Sequence, residues 1–257
     1  MIRTLAIALM LVGAAMLISG LLAAGMLTAG APVEPVKEVA AALRCPTLVD
    51  PPLAVPDPYG PETRSTWEAH HHAPGLCAVA LSPDLSTYRL MTFPDGPSAR
   101  ENGYEPTHDG PCGSCSPLAD LAVYVDQPDL TTPVRRCALL SFSPGLTLRC
   151  LEKLGFTEPC AQIWAANAAN TRKECLGICL RSFLSGEPNN QPDGTLNPCL
   201  ACDEERSGPV FQAVAGRTRR RSGLPSAIGR DEGEVASLDH TYIPALLAAQ
   251  PENTSSK

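Results

Sequence analysis

"HDGPCGSCSPLADLAVYVDQ", His108 to Gln127, sets Cys112 and Cys115 in front of an apolar segment. Leu118, Leu121, Ala122 and Val125 recur at helical steps, Ser116 is placed to cap the helix, and Pro117 suits its first turn. The role of the two cysteines decides how the rest of the chain is read. They are a reactive dithiol, half of a metal site, or the ends of separate structural disulfides.

A thiol at a helix N-terminus meets unpaired amide hydrogens and the positive end of the helix dipole, which favour its thiolate. With His108 as proton acceptor, Cys112 and Cys115 would suit thiol–disulfide exchange. No tryptophan precedes Cys112 and no strand–helix–strand pattern leads into it, so the motif does not look like that of thioredoxin. A second C-x-x-C, Cys199 and Cys202, opens the metal reading. The four thiolates of Cys112, Cys115, Cys199 and Cys202 could hold zinc tetrahedrally or carry an iron–sulfur cluster.

Composition favours stapling. The chain has 257 residues and eleven cysteines, nine of them between Cys112 and Cys202, while aromatic residues are only 5% and prolines number 26. A chain so poor in aromatics and so rich in irregular backbone needs cross-links, each contributing about 2–4 kcal/mol. Cys137, Cys150, Cys160, Cys175 and Cys179 are therefore expected to be structural, with one cysteine of the odd number left over.

The stapling reading requires an oxidising compartment, and the N-terminus supplies a route to one. After Arg3, residues 4–33 carry no charge, and about 20 apolar residues suffice to span a bilayer. Residues 1–31 are expected to be an uncleaved membrane anchor or, given Ala29-Gly30-Ala31, a cleaved export signal. The body would then lie on the extracytoplasmic side, tethered to the membrane or secreted.

The expected fold is mainly α: a small, cysteine-rich, disulfide-stapled helical domain over residues 111–229. It would follow a proline-rich tether with partial structure over 32–110 and precede a solvated tail over 230–257. Helices are expected in "TLRCLEKLGF", capped by Thr147 and ended by Gly155, and from Thr157 and Pro159 to Gly186. A further one should begin at Pro209. "LCAVAL" near Cys77 is a weak strand signal.

"GRTRRRSGLPSAIGR" holds Arg217, Arg219, Arg220, Arg221 and Arg230 in a chain of net charge −7. Guanidinium groups match carboxylate and phosphate geometry, so Arg217, Arg219, Arg220 and Arg221 are expected to present a surface to an acidic protein, a lipid or a small anion. The acidic balance argues against nucleic acid as partner. No phosphate-binding loop, nucleophile elbow or paired metalloprotease histidines occur. The sequence thus reads as a binding or structural module rather than an enzyme. The alternative is a redox or metal-carrying protein built on the two C-x-x-C pairs.

Overall fold

The computed structural model describes residues 34–140 and 143–250. The apolar segment expected to be an anchor or signal, residues 1–31, lies outside the described residues. Among those described, no helix is long and apolar enough to cross a membrane. Residues 1–37 and 38–257 separate into two units, and the sheet and the helices packed with it belong to the second.

Helix α1 (Glu34–Arg44) is followed by a four-stranded sheet in the order β1-β3-β2-β4. Its strands are β1 (Thr47–Leu48), β2 (Leu76–Leu81), β3 (Thr87–Phe93) and β4 (Glu105–Asp109). Helix α2 (Arg64–His70) precedes β2, and α3 (Gly96–Glu101) separates β3 from β4. Strands β2 and β3 form an antiparallel hairpin with Leu76 opposite Phe93 and Leu81 opposite Tyr88. Asp84 ties its loop by accepting from the Ser86 backbone N–H and from the hydroxyls of Ser82 and Ser86. Pro106, which has no N–H to give a ladder, sits on edge strand β4.

The sheet changes the expected organisation. Residues 34–110 hold more than the partial structure expected of a proline-rich tether. They carry the whole sheet, and Val79 and Tyr88 enter one apolar cluster with Ala40 and Leu43 of α1 and with Leu118 and Leu121. The tail expected to be solvated also contributes, since Tyr242 and Leu246 are buried in the same cluster, the second of them on α10 (Ile243–Ala248). Tyr242 Oη lies 2.8 Å from Thr107 Oγ1, which gives the buried phenol a partner.

The remaining helices are α4 (Leu118–Asp126), α5 (Thr131–Leu140), α6 (Pro144–Lys153), α7 (Glu158–Ser185), α8 (Pro198–Arg206) and α9 (Gly208–Ala215). Helix α7 is the 28-residue axis of this half. It starts after Thr157 and stops at Gly186, whose φ of +65° suits a residue without Cβ. Two caps differ from the sequence reading. Ser143, not Thr147, caps α6, and Ser116 caps nothing because its hydroxyl is engaged elsewhere. Five disulfides hold these parts together: Cys77–Cys112, Cys115–Cys160, Cys137–Cys150, Cys175–Cys202 and Cys179–Cys199. They fit an oxidising, extracytoplasmic setting. Cys45 is free and exposed.

Candidate functional site

The opening motif is a structural junction. Cys112 bonds back to Cys77 on β2 and Cys115 forward to Cys160 on α7, so the pair closes no dithiol of its own. Cys199 and Cys202, both on α8, are joined to Cys179 and Cys175, both on α7, so this pair closes no dithiol of its own either. The expected four-thiolate zinc or iron–sulfur site over Cys112, Cys115, Cys199 and Cys202 is therefore not assembled, because each sulfur is oxidised with a partner outside the set. Among the described residues no three His, Cys, Asp or Glu side chains gather into a metal-holding group. Cys137, Cys150, Cys160, Cys175 and Cys179 are all bridged, as expected of structural cysteines.

The glycine of C-G-S-C serves backbone packing. A Cβ on Gly113 would lie 2.5 Å from the Val214 carbonyl oxygen, and one on Gly216 would lie 2.6 Å from the Gly113 nitrogen. Two glycines thus let the loop lie against the C-terminus of α9, where Ser114 and Cys115 N–H groups donate to the Val214 and Ala215 carbonyls at 2.9 Å. His108 is not beside a thiolate as a base. Its Nε2 lies 2.7 Å from Ser116 Oγ, and its Nδ1 is 2.9 Å from the Asp109 carbonyl oxygen. Burial, helped by the charge of Arg217, pushes the imidazole well below its usual pKa and keeps it neutral. Both members of this Ser–His pair are fully buried, so no substrate reaches them.

The arginine cluster is also largely turned inward, which corrects the surface reading. Arg217 is fully buried and donates to the carbonyls of Thr107, Cys115 and Ser116 and to the hydroxyls of Thr107 and Ser222. Arg219 caps the end of α4 through the Tyr124 and Gln127 carbonyls and also reaches Pro225 O. Arg221 reaches the carbonyls of His71, Gln212 and Gly216. Irregular backbone leaves carbonyls without ladder partners, and five donors per guanidinium can serve several at once. Within the cluster only Arg220 and Arg230 pair with acids, sharing Glu204, with Glu234 as a second partner of Arg220.

A concave feature lies along α7. Trp164, Ala168, Thr171, Leu176, Leu180 and Phe183 line one wall of a groove of about 320 Å³. The span from Trp164 to Phe183 is about 28 Å at 1.5 Å per residue. Leu130 and Val134, just before and on α5, together with Phe211 of α9 and Ile228, also line it. At the Trp164 end the indole packs on Phe211 with ring centroids 4.6 Å apart. At the other end the wall emerges into solvent, with Leu180 at 50% and Phe183 at 56% exposure.

Charge is set around this apolar strip. Five arginines, Arg135, Arg172, Arg219, Arg220 and Arg230, line the groove against two acids, Asp203 and Glu204. Glu204 is held by Arg220 and Arg230. Asp203 accepts from Asn167 Nδ2 at 3.2 Å and from the Thr171 hydroxyl. Burial pushes its carboxyl above the usual range, against those two hydrogen bonds, so its negative charge is weakened. Tyr59 completes the polar seam, its oxygen 2.8 Å from Asn167 Oδ1 and 2.9 Å from the Ser207 carbonyl oxygen. None of the salt bridges among the described residues engages Arg135 or Arg172, and Arg172 Nη2 donates to the Ala138 carbonyl, which leaves its charge without an acidic partner. The rim is thus locally cationic on an acidic protein.

The expected helix from Thr157 to Gly186 is present, but the sequence reading gives its Trp164, Ala168 and Thr171 face no binding role. The missed signal was the continuation of apolar positions into Leu176, Leu180 and Phe183, which stay about half exposed.

Residues 145–238 match a family of unknown function (DUF8771). The match runs from α6 through α9 to the arginine-rich loop. It therefore includes the α7 wall and the two disulfides that tie α7 to α8, and it leaves out the sheet, α4 and α5. No curated protein and no solved structure matches the chain.

Proposed function

We propose that this is an exported binding protein, held at the membrane through its N-terminal apolar segment, whose α7 groove takes an elongated apolar molecule bearing an anionic group. The observation that carries the reading is the groove itself. It is a long, mostly apolar concavity of the size used for small ligands, with positive charge on its rim. An anionic partner is also what the arginines lead one to expect. The groove reassigns it from a flat surface to a small amphiphile, and from Arg217 and Arg221, which serve the fold, to Arg135 and Arg172. The disulfides Cys175–Cys202 and Cys179–Cys199 hold one wall in place without a ligand, so little ordering entropy is lost on binding.

The test is a titration of the disulfide-intact protein with dodecanoate and with dodecyltrimethylammonium, which share a tail and differ in charge. Trp164 fluorescence, in a Trp67→Phe background, reports occupancy. Saturable binding of the anion, weakened by salt and by Arg135→Gln with Arg172→Gln, is expected, and the cation should bind at least about tenfold more weakly. Equal binding of both, or of neither, would overturn the reading.

A further inference from the structure

The Trp164 end of the groove holds two hydrogen-bond donors without a well-placed acceptor. Tyr124 Oη and Trp164 Nε1 are both buried and neither makes a well-formed hydrogen bond, although the indole N–H lies near enough to the phenol oxygen to interact with it, and both residues line the groove. Tyr124 is only 2% exposed and sits among Phe156, Trp164 and the Arg219 guanidinium, whose Cζ is 5.7 Å from the tyrosine ring centroid. Among the described residues Glu187 Oε2 is also buried without a partner, whereas the interior phenols Tyr59, Tyr88 and Tyr242 each have one. A buried donor left unpaired costs about 1–3 kcal/mol. Phenylalanine at either position would avoid that cost while keeping the packing, so the two polar atoms point to a partner brought in from outside.

We propose that the Trp164 end of the groove is a subsite for an uncharged oxygen, a carbonyl, ether or hydroxyl, at the far end of the ligand from its anionic group, with Tyr124 Oη and Trp164 Nε1 as its donors. The subsite rests on the groove being the binding site and adds which ligands it prefers. An anion is disfavoured at this end because the nearest guanidinium, Arg219, already gives its hydrogens to the Tyr124, Gln127 and Pro225 carbonyls. The anionic group is therefore placed at the rim beside Arg135 and Arg172, and the apolar chain runs along α7 between the two. The ligand class is an acyl-type anion oxygenated at its distal end.

The experiment compares dodecanoate with its ω-hydroxy derivative, and with shorter and longer homologous pairs, by calorimetry on the disulfide-intact protein. At one chain length the ω-hydroxy acid should bind roughly fivefold to a hundredfold tighter, the free-energy equivalent of satisfying a buried donor. Tyr124→Phe should abolish that preference and raise the thermal midpoint of the free protein, because it removes a buried donor that has no partner there, and Trp164→Phe should reduce the preference. Equal binding of each pair at every length overturns the subsite and leaves the groove reading standing. So does a preference that survives both substitutions, or a Tyr124→Phe variant that loses stability because its hydroxyl was already paired within the protein. Binding of no member of the series would remove the groove reading and this inference together.

Discussion

Replacing Arg217 by methionine keeps length and apolar stem but removes a guanidinium that is completely enclosed. Its five hydrogen bonds join strand β4, the C-G-S-C loop and the 3₁₀ turn Arg220–Ser222. They run to Cys115 O at 3.1 Å, Thr107 O at 3.0 Å, Ser222 Oγ at 3.1 Å, Thr107 Oγ1 at 2.8 Å and Ser116 O at 2.8 Å. At about 1 kcal/mol net for each bond their loss costs about 5 kcal/mol, and relief of the buried charge returns part of it. A net loss of about 3–5 kcal/mol is expected, a large fraction of a typical domain's stability. Urea unfolding with all disulfides intact measures it as a lowered midpoint at unchanged slope. Arg220→Gln is the internal control, since its ion pairs to Glu204 and Glu234, at 3.8 and 3.7 Å, are partly solvated and should contribute under about 1 kcal/mol. If Arg217→Met stays within about 1 kcal/mol of the parent in the same assay, these bonds do not offset the cost of burying the charge, and the view of the arginines as fasteners of irregular backbone fails.

Asp120, buried on α4 and accepting from Thr157, has its carboxyl pushed by burial from 3.8 to about 7. The native state therefore holds this proton more tightly than the unfolded chain. Stability should fall as pH rises from about 4 to about 7 and level off above, by up to about 4 kcal/mol. Asp120→Asn, which keeps an acceptor for the Thr157 N–H, should flatten that part of the pH profile, and matching profiles for variant and parent would refute the assignment. Removing the Cys175–Cys202 bridge as a double alanine variant should cost about 3–4 kcal/mol in the same urea assay, from a sequence separation of 27 residues. Gly216→Ala should be strongly destabilising, because φ is +69° and the new methyl would meet the Gly113 backbone at 2.6 Å. A neutral result at Gly216 would mean that the C-G-S-C loop is not packed this way.

Helix α7 was legible because local signals agreed: proline near its start, glycine at its end and cysteines four apart on one face. The sheet was not, because its strands are two to seven residues long and carry threonine, arginine and proline where alternation would show. What makes them strands is pairing between segments far apart in sequence, the β2–β3 hairpin and the Cys77–Cys112 link, which no local pattern records. The bridging of the cysteines could be anticipated from their number, but not their partners: Cys112 and Cys115 divide between β2 and α7 while Cys199 and Cys202 both join α7, and only the packing decides which. The arginines misled for a related reason. A charge cluster in sequence shows neither the carbonyls that irregular backbone leaves open nor which guanidinium groups will be drawn in to serve them. The groove was not legible: the apolar positions of α7 can be read, but not that Leu176, Leu180 and Phe183 stay exposed after folding.

The most direct test of the central claim is photo-crosslinking of the disulfide-intact protein with a long-chain fatty acid carrying a diazirine on its tail, followed by peptide mapping. Groove binding predicts saturable labelling, competed by unlabelled fatty acid and concentrated on the α7 wall between Trp164 and Phe183 and on the other lining residues Leu130, Val134 and Phe211. Labelling that does not saturate, or that falls on exposed apolar residues outside the groove such as Leu53 and Met91, would contradict it.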